Sequence, residues 1–380
     1  MESVVDGRFD VLVIGGGIAG VSLGFELAAE RSVGLLEMES TLAFHTTGRS
    51  AATWLGTYGN GPIRALTAAS HEFLTAPPEG LFEADLTRPL GLIYIGGPGQ
   101  ADLVRALHDE VVGLSPEVEL VDAPAARELF PLLRPDHVEL AMVEPGALDV
   151  DVHELHQGYT RGLRARGGKV ITSEPVRTAA HDGGGWTVTT GKGDTFCAPV
   201  VINAAGAWVD RVAAIFAASP IGIRPLRRTM FTVPDAVGAP PHLPMVFAVD
   251  HAFYVKSEAG QFLCSPQDET LQEPGDAKPD ELEIARAIDA INDATTLNVR
   301  HIRGPWAGLR NFTADETPAV GFDPNVEGFY WYAGQGGYGI QAAPALARVA
   351  AAQLLGRSVP HDVIATGLDV AVLDPERFSR

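Results

Sequence analysis

Hydrophobic positions along the chain fall into two periods, which predicts an α/β protein. Val11–Ile14 is a short, continuous apolar run, and residues 31–36 hold a second one as the next strand. Runs of this kind read as parallel strands buried on both faces. Between them, Val21, Leu23, Gly24, Leu27 and Ala28 share one helical face. Further helices are predicted over 62–73, 100–112, 152–166, 281–291 and about 342–355. Continuous apolar strands are predicted at 91–96, 139–143, 169–172, 200–203 and 329–332. Residues 186–190 and 195–197 alternate as a hairpin does. From 224 to 312 the pattern changes. Short strand-like runs at 230–233, 245–249, 253–256 and 261–264 are separated by proline-rich turns, as in a mixed, mostly antiparallel sheet. An acidic, proline-bearing loop is expected over 265–280.

The first strand runs into Gly15, Gly17 and Gly20, which fit G-x-G-x-x-G, and the second apolar run ends at Glu37. The first glycine allows the turn, the second lets backbone approach a pyrophosphate, and the third lets helix and strand pack closely. The helix N-terminus favours the anion, and Glu37 stands where a carboxylate accepts hydrogen bonds from an adenosine ribose. Strand, turn, helix, strand and terminal acid in this order imply a Rossmann-type nucleotide-binding domain. An acid at that position repels a 2′-phosphate, which disfavours NADP and leaves FAD and NAD. Similar features recur mid-chain and near the end, so this domain is expected to be discontinuous (1–80, 145–220 and 315–380). A substrate-binding sheet domain would comprise 81–144 and 221–314.

With 380 residues, 46% of them hydrophobic, the chain can bury a large core. A formal charge of −20 argues against nucleic acid or anionic membranes as partners. No stretch approaches the ~18 apolar residues of a membrane span. The first residues lack a basic and apolar leader, and Cys197 and Cys264 show no paired or metal-like spacing. These features point to the cytoplasm. His153-Glu-Leu-His156 has its histidines three apart, unlike H-E-x-x-H. It reads as a capped helix with two solvent-facing histidines, and no metal site is expected.

Four segments now stand in order: the Gly15 fingerprint with Glu37, Thr47-Gly48-Arg49-Ser50, Asn203-Ala-Ala205-Gly206, and Gly334 to Gly339. This order resembles the D-amino-acid oxidase superfamily of FAD-dependent amine oxidoreductases over nearly the whole chain. Thr47-Gly-Arg-Ser-Ala-Ala52, Arg64-Ala-Leu-Thr-Ala-Ala-Ser70, Leu155-His-Gln-Gly-Tyr159, Asn203-Ala-Ala-Gly-Ala-Trp208, Trp306-Ala-Gly-Leu-Arg310 and Gln335-Gly-Gly-Tyr-Gly-Ile-Gln341 resemble its D-arginine dehydrogenase branch. The resemblance implies that Thr47, Gly48, Arg49 and Ser50, with Ala205 and Gly206, contact FAD. It implies that Gly334, Gly336, Gly337, Tyr338, Gly339 and Ile340 approach the pyrimidine end of the flavin. FAD would be held noncovalently, since neither cysteine lies within 308–321.

The resemblance also implies a substrate-carboxylate clamp of Arg310, Arg228 and Tyr254, with Tyr58 at the pocket mouth. Arginine suits this task because its planar fork binds a carboxylate bidentately and stays charged. Thr53, Leu90 and Gly336 would line the pocket. Basic-substrate members carry a glutamate after an Arg-Pro pair, whereas here Arg88-Pro89 precedes Leu90. Thr53 stands where those members have a histidine. The expected reaction is therefore oxidation of neutral or apolar D-amino acids by hydride transfer from Cα to flavin N5, giving 2-oxo acids and ammonia. A glycine- or sarcosine-type amine oxidase and a non-catalytic flavin-binding protein are the alternatives. The acceptor (O2, a quinone or another carrier) is left open. Residues 53–61, with three glycines, suggest a mobile lid.

Overall fold

The computed structural model describes residues 7–378 except 114, 116, 236, 237, 241 and 259. The N-terminal residues 1–6, part of the stretch read for a leader, lie outside this range. Two large sheets organise the chain. The first has six strands in the order Ala319–Phe322, Phe329–Ala333, Val200–Asn203, Val11–Ile14, Val33–Leu36 and Lys169–Ile171. All pair in parallel except the edge strand Ala319–Phe322. Burial of both faces, toward which successive side chains alternate, explains why its central runs are apolar up to Asn203. Val11 and Val13 pack against helices Ile18–Leu27, Val152–Ala165 and Gly339–Leu354. Leu12 and Ile14 pack against the antiparallel strands at 176–198 and helix Val209–Ile215.

The second sheet runs Gln335–Gly336, Arg303–Phe312, Arg224–Pro234, Gln261–Ser265, Tyr254–Glu258, Met245–Ala248, Leu92–Gly96, Leu140–Glu144 and Glu119–Val121. Only Met245–Ala248 and Leu92–Gly96 pair in parallel. One face, including Phe231, Val255 and Phe262, packs on helices Ala123–Leu129 and Glu281–Ala294. The other carries Met230, Met245, Phe247 and Tyr254. The chain passes from one sheet directly into the other at Gly334, whose φ of +75° bends strand Phe329–Ala333 into Gln335–Gly336. No helix among the described residues is long and apolar enough to cross a membrane.

Several elements depart from the expected pattern. Strand Arg303–Phe312 and helix Ala123–Leu129 have no counterpart in it, and the strand at 230–233 begins six residues earlier, at Arg224. Both long strands carry arginines and a glycine or proline where alternation would require apolar residues. Their register partners, rather than their own composition, make them strands. The last long helix begins at Gly339, three residues before the expected start.

Candidate active site

The glycine-rich turn is as close as its sequence implies. Gly15 has φ +111°, and a Cβ there would lie 2.4 Å from the Ala204 carbonyl oxygen. A Cβ on Gly20 would lie 1.9 Å from the Gly15 carbonyl oxygen. Gly17 offers no side-chain cap to helix Ile18–Leu27; the Thr47 hydroxyl accepts from the Ile18 N–H at 3.0 Å, and other N–H groups of the first turn are oriented toward an anion. Glu37 accepts hydrogen bonds from the Gly16 and Glu39 N–H groups at 2.7 and 2.9 Å. The expectation of two solvent-facing histidines is corrected: His153 is exposed, but His156 is buried. Its Nε2 lies 2.9 Å from the Gly16 carbonyl oxygen. A carbonyl only accepts, so Nε2 carries the proton. Burial lowers the His156 pKa, which keeps the ring neutral. It braces the glycine turn from below.

From this turn a cavity of about 550 Å³ extends to the second sheet. Gly15, Gly17, Glu37, Thr47, Arg49, Ser50, Ala205, Gly206, Gly334, Gly336, Gly337, Gly339 and Ile340 line it, as do Thr53, Tyr58, Arg228, Tyr254 and Arg310. Gly20, Gly48, Tyr338 and Leu90 are not on its wall. Gly20 serves helix–strand packing, and Gly48 sits against the Ala43 carbonyl. Tyr338 packs edge-on against Tyr58 and Phe312. Leu90 packs with Leu92, Tyr94 and Met245 in the adjoining core. Leu55, Met230, Met245 and Phe247 form the apolar end of the cavity. Its only lining carboxylates among the described residues, Glu37 and Glu174, lie together at the opposite end, where the Glu174 N–H meets the Glu37 carbonyl.

Strand register explains how two arginines meet at the apolar end. On Arg224–Pro234, alternate residues point to opposite faces. Arg228 and Met230 reach the cavity, whereas Arg227 turns away to Asp268 and Asp280 at 2.7 and 3.0 Å. Arg228 pairs with Gly308 on the neighbouring strand and Leu226 pairs with Arg310. The two arginines are thus diagonal cross-strand neighbours. Both are about nine-tenths buried. Burial, and then repulsion from Arg310, pull the Arg228 pKa down. For Arg310 burial acts the same way, but Tyr58 and Glu269 outweigh it and hold the value up. Tyr254 is buried, its hydroxyl pushed up to about 12 and donating to Met230 Sδ at 3.1 Å. Arg310 Nη1 reaches the Tyr58 hydroxyl at 3.4 Å.

The sequence reading did not find the groups that hold these residues. Glu269, in the acidic loop, lies 2.6 Å from Arg310 Nη2 and 3.3 Å from Arg228 Nη2. Glu144 accepts from the Gly56 N–H at 2.6 Å, the Thr57 N–H at 3.3 Å and the Thr57 hydroxyl at 2.5 Å. Gln341 accepts from the Leu55 N–H at 3.2 Å. The expected lid segment is therefore tied to the protein at residues 55–57, just before Tyr58. No short-range motif marks an acid that acts on residues so distant in sequence.

Comparison with known proteins now places the chain. The family model for FAD dependent oxidoreductases (DAO) matches residues 10–353. The chain belongs to this family. Glycine oxidase of Geobacillus kaustophilus is 25% identical, over 89% of the chain and 90% of that protein. A crystal structure of glycine oxidase from Geobacillus kaustophilus superposes with a TM-score of 0.84 at 22% identity, covering 97% and 98% of the two chains. The L-proline dehydrogenase structure from P. horikoshii gives 0.81 at 22% identity, over 98% of each chain. Mouse mitochondrial dimethylglycine dehydrogenase is 24% identical over 98% of this chain but only 44% of its own length. The chain thus spans less than half of that relative.

As a member of the FAD dependent oxidoreductases the chain takes FAD, and its cavity fits that cofactor. Two helices, Ile18–Leu27 and Gly339–Leu354, begin at the cavity wall with no cap from their own N-cap residues, Gly17 and Tyr338. Gln335 Nε2 and Asn311 Oδ1, both buried on residues of the same wall, have no partner within the protein. Such atoms are costly unless a ligand satisfies them. No group of metal-ligating side chains occurs among the described residues.

Proposed function

We propose that this protein oxidises small α-amino acids at the Cα–N bond, with neutral or apolar D-amino acids as its substrates. The observation that carries this reading is the pair of buried arginines, Arg228 and Arg310, set beside Tyr254 at the apolar end of the FAD cavity. A buried like-charge pair is costly unless an anion joins it, and a carboxylate matches the guanidinium fork. Leu55, Met245 and Phe247 then offer an apolar environment to the substrate side chain. FAD supplies the two-electron acceptor. The chain's own residues bind the carboxylate, fix its orientation and exclude water.

Glu269, the carboxylate beside the arginines, is held by both of them, and no histidine lines the arginine end among the described residues. The substrate amine would therefore lose its proton before or on entry, and kcat/KM should rise with pH toward the amine pKa. Among Leu55, Met230, Met245 and Phe247 at the apolar end, a cationic side chain such as that of D-arginine would find no carboxylate partner, at a cost of several kcal/mol. Leu90 lies off the wall and takes no part in this preference. Noncovalent FAD is consistent with the positions of Cys197 and Cys264, neither of which lines the cavity. The similarity to glycine oxidase supports a second reading, with glycine or an N-methylglycine as substrate.

An anaerobic titration tests both readings. D-Leucine and D-phenylalanine should bleach the bound flavin, while L-leucine and D-arginine should leave it oxidised. Bleaching by glycine or sarcosine alone would select the second reading. Bleaching by none of them would remove amino-acid oxidation.

A further inference from the structure

The arginine pair already holds a carboxylate from its own chain. Glu269 Oε1 sits within reach of both guanidinium groups, 2.6 Å from Arg310 and 3.3 Å from Arg228. Burial opposes its charge, but the Arg310 hydrogen bond and both guanidinium charges outweigh that and hold the carboxyl below its ordinary range. It is therefore ionised throughout the neutral range. The side chain is 57% exposed and stands in the segment Glu269-Thr270-Leu271, exposed along its length. By contrast, the arginines are buried. The engagement is also incomplete: Arg310 Nε, on the same side of the fork as Nη2, is buried without a partner. A carboxylate free to orient itself would take Nε and Nη2 together.

We propose that Glu269 is a competing counter-ion built into the substrate site: it neutralises Arg228 and Arg310 between turnovers, and an entering carboxylate must displace it. Two buried cations left alone would repel, so the resting enzyme needs an anion there. An exposed loop carboxylate meets that need and can return to water at little cost. The arginine pair then binds substrate only in molecules where Glu269 has turned away, and apparent affinity falls by that fraction. Glu269 would thus favour ligands that engage the whole fork over anions that make a single contact. It acts through the arginines and is a positioning residue.

This inference rests on the arginine pair as a carboxylate clamp, and the experiment separates the two. The holoenzyme is titrated with 4-methylpentanoate, the carboxylate of leucine without its amine, and the flavin absorption spectrum is followed. Glu269→Gln should bind it roughly tenfold more tightly than wild type, as expected if Glu269 occupies the pair about nine-tenths of the time. Glu269→Ala should do the same, and KM for the amino-acid substrate should fall in both variants. Unchanged or weaker binding in both variants, with a normal flavin spectrum, would overturn the competition while leaving the clamp intact. If wild type and both variants bind no carboxylate at all, the clamp itself is wrong.

Discussion

At the scale of single residues, the adjacent arginines Arg227 and Arg228 show how one strand assigns different tasks. Arg228 faces the cavity, and Arg227 faces Asp268 and Asp280 on the other side of the sheet. Replacing Arg310 with Lys keeps a charge but loses the fork, so kcat/KM should fall by roughly 10²-fold or more with FAD retained. Unaltered steady-state kinetics would take Arg310 out of the clamp. Arg227→Ala should act differently. It leaves the buried Asp268 carboxylate without its cation, so denaturant melts should show a loss of about 3–5 kcal/mol with little change in KM for the protein that folds. A rise in KM without destabilisation would mean that the two arginines had been assigned to the wrong faces. Sequence alone named Arg228, Arg310, Tyr254 and Tyr58 through the resemblance, and strand alternation explains why the cavity takes Arg228 over Arg227. It could not name Glu269 or Asp268, because their partners are fixed by the path of an irregular loop.

At the scale of elements, one buried acid controls the segment that carries Tyr58. Glu144 ends strand Leu140–Glu144 and binds Gly56 and Thr57 from below. Glu144→Ala leaves two N–H groups and a hydroxyl without an acceptor and should cost about 1–3 kcal/mol, with a raised KM as Tyr58 loosens. Burial, partly offset by these hydrogen bonds and reinforced by Glu117, raises the Glu144 pKa. For a carboxyl raised on folding, the contribution to stability is fully present below the unfolded-state value of about 4.3. It is lost as pH rises through the folded value. Glu144→Gln, which cannot ionise, should therefore gain on wild type across that window in pH-dependent melts. Parallel curves would show that Glu144 does not titrate there. The three glycines of residues 53–61 made the segment read as a lid, since composition reports local freedom and not a tether from residue 144. Composition hid strand Arg303–Phe312 in the same way, as its Gly304, Pro305 and Arg310 break the apolar alternation.

At the scale of the molecule, the cofactor cavity is the seam between two sheets. The glycine turn, Glu37 and Ala205 belong to the parallel sheet or its loops, while Arg228, Met245 and Tyr254 belong to the mixed one. The inner strands of the parallel sheet were legible because they are buried on both faces and therefore almost continuous in hydrophobicity, whereas the edge strand Ala319–Phe322, exposed at its end, was not read. The mixed sheet was legible only in outline, because its cavity face must carry the polar residues that a ligand needs. A ligand that touches both sheets stabilises their association as well as filling a void. Binding to the folded state alone should add about 2.7 kcal/mol at a hundredfold excess of FAD over its Kd. The apoprotein should accordingly melt several degrees below the holoenzyme, and FAD should restore the Tm in a concentration-dependent way. The same titration isolates the brace under the glycine turn. His156→Ala removes the Nε2 donor to the Gly16 carbonyl, so the variant should need roughly tenfold more FAD for the same shift, because a lost buried hydrogen bond is worth about 1–2 kcal/mol. If FAD raised the Tm of wild type and His156→Ala along one curve, the packing of Gly15 and Gly20 would hold the turn in shape without the histidine.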